Sequence, residues 1–328
     1  IQTATYTITP EAPPALAGCV GSDETAVIYV LPRAEITSPL TDSSCEGPYD
    51  YTITGNVSGS TFAWTRAEVS GITPATGSGL TASISETLSN STTSPIDIEY
   101  VLYPTGPAPD NCTGTPSTLT VTIYPDPAID VQPADITICS GSSTTLSVTA
   151  SGGFPSLDYQ WEISADGSTG WTNVGSNSFN YTTDPLTQTT YYRVTVSSTG
   201  HSCTPITSNV VTVSVPRILV EPVGATVCTG GNHTMEVDVE AGSATLTYQW
   251  QFSDFSCTSG WNNISGATSD TYTTTSLPVE GTRHFRCLIT VETPDCSTLI
   301  TNCVDVDVIK DPEISVQPVG ATICENSS

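Results

Sequence analysis

Four stretches of this chain align on one another. Three of them read Ile-Asp-Val-Gln-Pro-Ala-Asp-Ile-Thr-Ile-Cys139, Ile-Leu-Val-Glu-Pro-Val-Gly-Ala-Thr-Val-Cys228 and Ile-Ser-Val-Gln-Pro-Val-Gly-Ala-Thr-Ile-Cys324, and a looser copy ends on Cys45. The cysteines lie 94, 89 and 96 residues apart. A repeat of that length rules out a single large core and requires a row of similar units, each the size of one small domain. Each unit closes alike, on an alternating segment that meets a proline: Ala26–Leu31 before Pro32, Leu119–Tyr124 before Pro125, Val211–Val215 before Pro216, and Val304–Val308 ahead of Pro312. Alternation places one face of a strand in a core and the other in water, and proline ends the ladder because it has no N–H to donate.

These signals divide the chain at 1–33, 34–126, 127–216, 217–311 and 312–328. The first piece reads as the closing half of a unit and the last as the opening of another, so the chain is expected to be an excerpt of a longer protein. Charged residues are only 12% of the chain, and the balance is filled by Ser, Thr, Gly and Pro. That composition favours strands and turns over helices, and the expected fold class is all-β, a tandem array of β-sandwich domains. Tyr159-Gln-Trp161 and Tyr248-Gln-Trp250 place a tryptophan where immunoglobulin-like sandwiches carry their central core anchor. Trp64 takes that role in a different local context, so Trp64, Trp161 and Trp250 are the predicted core anchors.

Eleven cysteines without a CxxC pair, beside only three histidines, read as disulfides and an oxidising compartment rather than as zinc sites. Recurring separations of 67, 64 and 68 residues predict bridges within each unit: Cys45–Cys112, Cys139–Cys203 and Cys228–Cys296. Cys19 and Cys324 are then expected to pair outside the excerpt. Of the odd set Cys257, Cys287 and Cys303, alternation points Cys287 inward and Cys303 outward. The preferred pair is Cys257–Cys287, leaving Cys303 free or linked to another chain.

Seven Lys+Arg against 33 Asp+Glu leave a net charge of −26, which excludes binding to a phosphate backbone or an anionic membrane. No apolar run approaches the roughly 20 residues of a membrane span. His201, His233 and His284 sit in no catalytic motif, and no GxSxG elbow, P-loop or dinucleotide fingerprint occurs, so no enzyme activity and no catalytic residue are expected. No cofactor is expected either. Calcium is the one cation weighed, at Asp126 with Asp130 and at Asp311 with Glu313, although two carboxylates per junction make a thin ligand set. Asn-x-Ser/Thr sequons fall at Asn56, Asn90, Asn111, Asn180, Asn232, Asn263 and Asn326.

On these residues the chain resembles the repeat regions of giant secreted surface proteins of the Bacteroidetes. Residues 34–126 resemble their PKD-like domains on the Trp64 segment, Ser94–Pro104 and Asn111-Cys-Thr-Gly-Thr-Pro. Residues 128–311 resemble the neighbouring Ig-like domains on Ile138-Cys-Ser-Gly, Tyr-Gln-Trp and the Cys203 and Cys296 segments. The resemblance implies secretion by the type IX route, an extracellular, cell-surface location, and service in a gliding adhesin, surface filament or prey-capturing appendage. The expected partners are other copies of the chain, assembled laterally. The alternative is a module that binds carbohydrate or protein through sandwich-end loops, with Tyr181, Tyr272 and Phe255 as its exposed aromatics.

Overall fold

The computed structural model describes residues 1–14, 21–277, 279–292, 296, 298–322 and 325. Cys19, Cys324 and Asn326 lie outside the described residues. Every regular element among the described residues is a strand. They form two compact units, one of residues 1–131, 149–159 and 195–207, the other of residues 132–148, 160–194 and 208–328.

In the first unit, Gln2–Ile8 and Glu24–Val30 make an antiparallel ribbon. Residues 34–126 build a sandwich of a five-stranded and a three-stranded sheet. The larger sheet runs in the order Thr41–Cys45, Ser117–Tyr124, Ile96–Thr105, Thr61–Arg66, Gly77–Gly79, and the smaller in the order Gly47–Thr52, Ser83–Asn90, Ile72–Thr73. The alternation that predicted the closing strand is realised literally. Leu119, Val121 and Ile123 have no exposed surface and pack with Trp64, Ile98 and Leu102, while the intervening threonines are partly exposed.

This core holds an ion pair. Arg66 reaches the Glu86 carboxylate through Nε and Nη2, each at 3.0 Å, and donates a further bond to the Pro74 carbonyl. Tyr100 donates its hydroxyl to the same carboxylate at 2.6 Å. Burial alone would raise the Glu86 pKa, but the bonds from Arg66 and Tyr100 prevail and hold it below the ordinary glutamate value. The Tyr100 hydroxyl is pushed the other way, by burial first and by the carboxylate second.

The chain leaves this sandwich through Pro125-Asp126-Pro127, a segment clamped by its neighbours. Gly153 donates its N–H to the Pro125 carbonyl at 3.1 Å. Gly152, at φ +69°, passes so close that a Cβ there would stand 2.2 Å from the Asp126 carbonyl oxygen. Beyond the clamp, Ala128–Val131 pairs antiparallel with Thr149–Ser151.

The second unit shows the repeat twice. Ile136–Thr137 runs parallel to the closing strand Val211–Ser214, and Ala225–Cys228 runs parallel to Val304–Ile309. Each of these opening strands follows a buried proline, Pro133 or Pro222. The side chain before each proline accepts a backbone N–H from the facing loop: Gln132 from Asn209 at 2.9 Å and Glu221 from Asn302 at 2.8 Å. The repeated Val-Gln/Glu-Pro motif is therefore a positioning device for the opening strand. Trp161 and Trp250 have no exposed surface. Their indoles donate to Ser178 and Ser269 carbonyls at 3.0 and 2.9 Å, and Trp64 donates to Ser83 at 3.2 Å. In each Tyr-Gln-Trp, the glutamine amide bonds the tryptophan's own carbonyl and that of a facing residue, Val174 or Ile264. The second tryptophans, Trp171 and Trp261, lie directly before short strands beneath the guanidinium groups of Arg193 and Arg286, at 4.3 and 4.2 Å.

Candidate functional site

The cysteines form the most distinctive chemistry of this chain, and their pairing differs from the expectation. Cys45 is bonded to Cys203 and Cys139 to Cys296, with Cα separations of 5.2 and 5.1 Å. The within-unit bridges Cys45–Cys112, Cys139–Cys203 and Cys228–Cys296 do not form, and Cys112 and Cys228 carry free thiols. Strand direction explains why. The opening strand runs parallel to the closing strand, and Cys45 is in register with Tyr124 at that strand's far end. Cys112 lies before the same strand begins at Ser117. An eight-residue strand, about 26 Å long, separates the two, whereas a disulfide spans a Cα distance of about 7 Å at most. The steady 64–68-residue spacing reflects the length of the repeat and not a bond. Cys45 and Cys139 instead each meet the loop cysteine of the following repeat.

The first of these joints lies within the first unit. Cys203 sits in the loop between Thr190–Ser198 and Ile206–Thr207. Beside it Asp126 accepts the Thr204 N–H at 3.1 Å, and the Asp126 N–H is donated to Glu46 at 3.2 Å. Tyr124 stacks on His201 with centroids 3.8 Å apart and on Phe154 at 5.4 Å. The bridge is thus flanked by a carboxylate-capped turn and an aromatic stack. The second joint lies within the other unit, where Cys139 and Cys296 line a pocket with Ser140, Pro216, Val291 and Leu299. Of the acids weighed for calcium, Asp126 is bonded as described, Asp130 accepts the Ser151 hydroxyl at 2.9 Å, and Glu313 pairs with Lys310 at 2.7 Å.

A third bridge, Cys257–Cys303, corrects the preferred Cys257–Cys287 pair and gives Cys303 a partner. Cys303 does lie outside the core and Cys287 within it, with no exposed surface. Cys257 belongs to an exposed loop, so only the outward cysteine is within its reach. His284 and Asp305 adjoin this bridge and bond each other at 2.6 Å. Burial pushes the Cys287 thiol up to about 12. We expect iodoacetamide to leave Cys287 unmodified in the folded chain at pH 8 and to label it fully after unfolding, as read by peptide mass spectrometry. Native labelling would show that the core around it opens.

The exposed-aromatic expectation holds at one of three positions. Tyr181 stacks between Trp161 and Tyr192, and Tyr272 lies against Trp250 and Phe285. Both belong to cores, because a tyrosine on a short strand facing the central tryptophan points inward. Phe255 is 78% exposed.

No helix among the described residues is long and apolar enough to cross a membrane. Disulfides of this number persist in an oxidising, extracellular setting. No curated protein matches the chain significantly. Solved structures with similarity include Sidekick-1 immunoglobulin domains 1–4, at 14% identity over 94% of this chain and 90% of that one, with a TM-score of 0.31. They also include Dpr2 Ig1-Ig2 in complex with DIP-Theta Ig1-Ig3, at 14% identity over 85% of this chain and 100% of that one (TM-score 0.37). A third is the three N-terminal domains of the bacteriophage RB49 Highly Immunogenic Outer Capsid protein, at 14% identity over 85% and 99% (TM-score 0.34). The chain is a tandem array of PKD-like and Ig-like β-sandwich domains. Residues 42–127 match a PKD-like domain. Residues 130–217 and 222–310 match the domain of unknown function DUF8696 twice, and since these two segments make up more than half of the chain, it belongs to the DUF8696 family.

Proposed function

We propose that this chain is a structural segment of an extracellular adhesin or cell-surface filament, of the kind secreted by Bacteroidetes through the type IX route. The observation that carries this reading is the overlap of Cys45–Cys203 with Cys139–Cys296. Each bond joins consecutive repeats, and the second begins inside the loop closed by the first. A covalent scheme of that form resists the separation of successive units and has no evident use in a protein that works as one isolated domain. The partners are further copies of the chain, associated through open sheet edges. A net charge of −26 makes that association dependent on salt. Binding to a surface glycan or protein through a loop end is the second reading, favoured by Phe255 standing exposed on a loop tied down by Cys257–Cys303.

The test is immunogold electron microscopy of intact source cells, with antibodies raised against residues 34–311. Labelled appendages outside the envelope are the expected result. Label confined to the cell interior would overturn the proposal.

A further inference from the structure

Of the three free cysteines among the described residues, Cys112 and Cys228 occupy the positions that are bridged elsewhere in the repeat. Cys228 ends the opening strand Ala225–Cys228, in register with Ile309 of its closing strand, as Cys45 is with Tyr124. Cys112 lies in the loop between Ile96–Thr105 and Ser117–Tyr124, the place Cys203 and Cys296 hold in their own repeats. One is an opening cysteine without a loop partner, and the other a loop cysteine without an opening partner.

A second observation concerns the surroundings of Cys112. Aligned on the proline that ends each closing strand, Leu31 falls on Tyr124, Val30 on Ile123 and Ile28 on Val121. Tyr124 is the residue that stands in register with an opening cysteine. Leu31 and Pro32 line one pocket with Cys112, Val57 and Pro107, just as Tyr124 lines a pocket with Cys45 and the residues before Cys203. The strand Glu24–Val30 pairs on one side with Gln2–Ile8. It exposes Ile28 and Val30 by 51% and 53%, where Val121 and Ile123 are fully buried. Its second edge and its core face are those of a closing strand awaiting an opening strand, and that strand would carry its cysteine to Leu31 and so to Cys112.

We infer that Cys112 and Cys228 are bonded, in the secreted protein, to cysteines of the sandwich units adjacent in the same polypeptide. Cys112 joins the opening-strand cysteine of the preceding unit, and Cys228 joins the loop cysteine of the following one. The staggered scheme is then continuous along the array. Each bond forms by thiol–disulfide exchange: two thiols lose two protons and two electrons and become one disulfide, while a protein or small-molecule disulfide takes them up and leaves as two thiols. The inference rests on the order of the repeats and on an oxidising location, and not on the filament reading, so a secreted protein that builds no appendage would leave it standing.

The test is disulfide mapping of the full-length protein harvested from the cell surface, alkylated before denaturation and digested at acidic pH without reduction. The expected result is complete absence of alkylation at Cys112 and Cys228. Each should be recovered in a disulfide-linked peptide pair, with an opening-strand cysteine for Cys112 and a cysteine ahead of a closing strand for Cys228. The variant Cys228→Ser should release one thiol elsewhere in the protein to full alkylation. Alkylation of native Cys112 or Cys228, a Cys112–Cys228 bond, or pairs of mixed label from cells grown on two nitrogen isotopes would each overturn it, the last by showing that the bond joins separate copies.

Discussion

Pulled by its two ends until fully extended, the chain carrying Cys257→Ser/Cys303→Ser, which removes the third bridge, should lengthen by only about 100 Å when either joint is removed, and by roughly 600 Å when both are removed. The bonds overlap, and that is the cause. With both joints intact and the third bridge removed, the shortest covalent path runs from Ile1 to Cys45, across to Cys203, back along the chain to Cys139, across to Cys296 and on to the end. It uses about 145 of the 328 residues at roughly 3.4 Å each. Removing Cys139–Cys296 leaves the path Ile1 to Cys45 and Cys203 onward, about 28 residues longer. Removing Cys45–Cys203 leaves Ile1 to Cys139 and Cys296 onward, longer by nearly the same amount. Only the double loss frees the remainder. Bridges confined to single units would behave additively, each releasing its own loop of about 200 Å. Force spectroscopy on the Cys45→Ser/Cys203→Ser chain, the Cys139→Ser/Cys296→Ser chain and their combination, each also carrying Cys257→Ser/Cys303→Ser, reads these lengths directly. Additive increments would refute the staggered pairing.

Replacing Arg66 by methionine should destabilise the 34–126 sandwich by about 3–5 kcal/mol, because Glu86 is left buried without its counter-charge. Adding Glu86→Leu should restore most of that loss, since an apolar pair of similar volume avoids the desolvation penalty altogether. The pH dependence discriminates further. In the native sandwich the Glu86 pKa lies below its ordinary value, so its stabilisation is present above the ordinary carboxylate range and is lost as the pH falls through the folded pKa. Without Arg66, burial dominates and raises that pKa, so the variant is penalised most near neutrality and least in acid, where the carboxyl is protonated. Hydrogen exchange over Ser83–Asn90 and Ile96–Thr105 gives the local stability at each pH. An Arg66→Met deficit that is the same at pH 7 and pH 4 would mean the carboxylate is not the cause.

Much of this structure was legible because strand periodicity and proline are local signals. Leu119, Val121 and Ile123 announce their burial by alternation alone, and Trp161 and Trp250 announce theirs through a short motif seen twice. The Arg66–Glu86 pair gave no comparable signal. Its members are 20 residues apart on different strands, and nothing in either segment marks a charge as inward-facing except the alternation of the strands that carry them. The burial of Tyr181 and Tyr272 is hidden for a related reason, since three-residue strands are too short to display a period.

The cysteines mark the division most clearly. Their repetition, and hence the tandem order of the units and the oxidising setting, is written in the sequence, because spacing along a chain is a one-dimensional property. Their partners are not, because a bond depends on which end of a strand each residue occupies. A parallel opening strand carries Cys45 to the far end of its sandwich, one strand length from Cys112 and within bonding distance of Cys203. Sequence by itself determined how the cysteines recur along the chain; only the direction of the strands in three dimensions decided which of them meet.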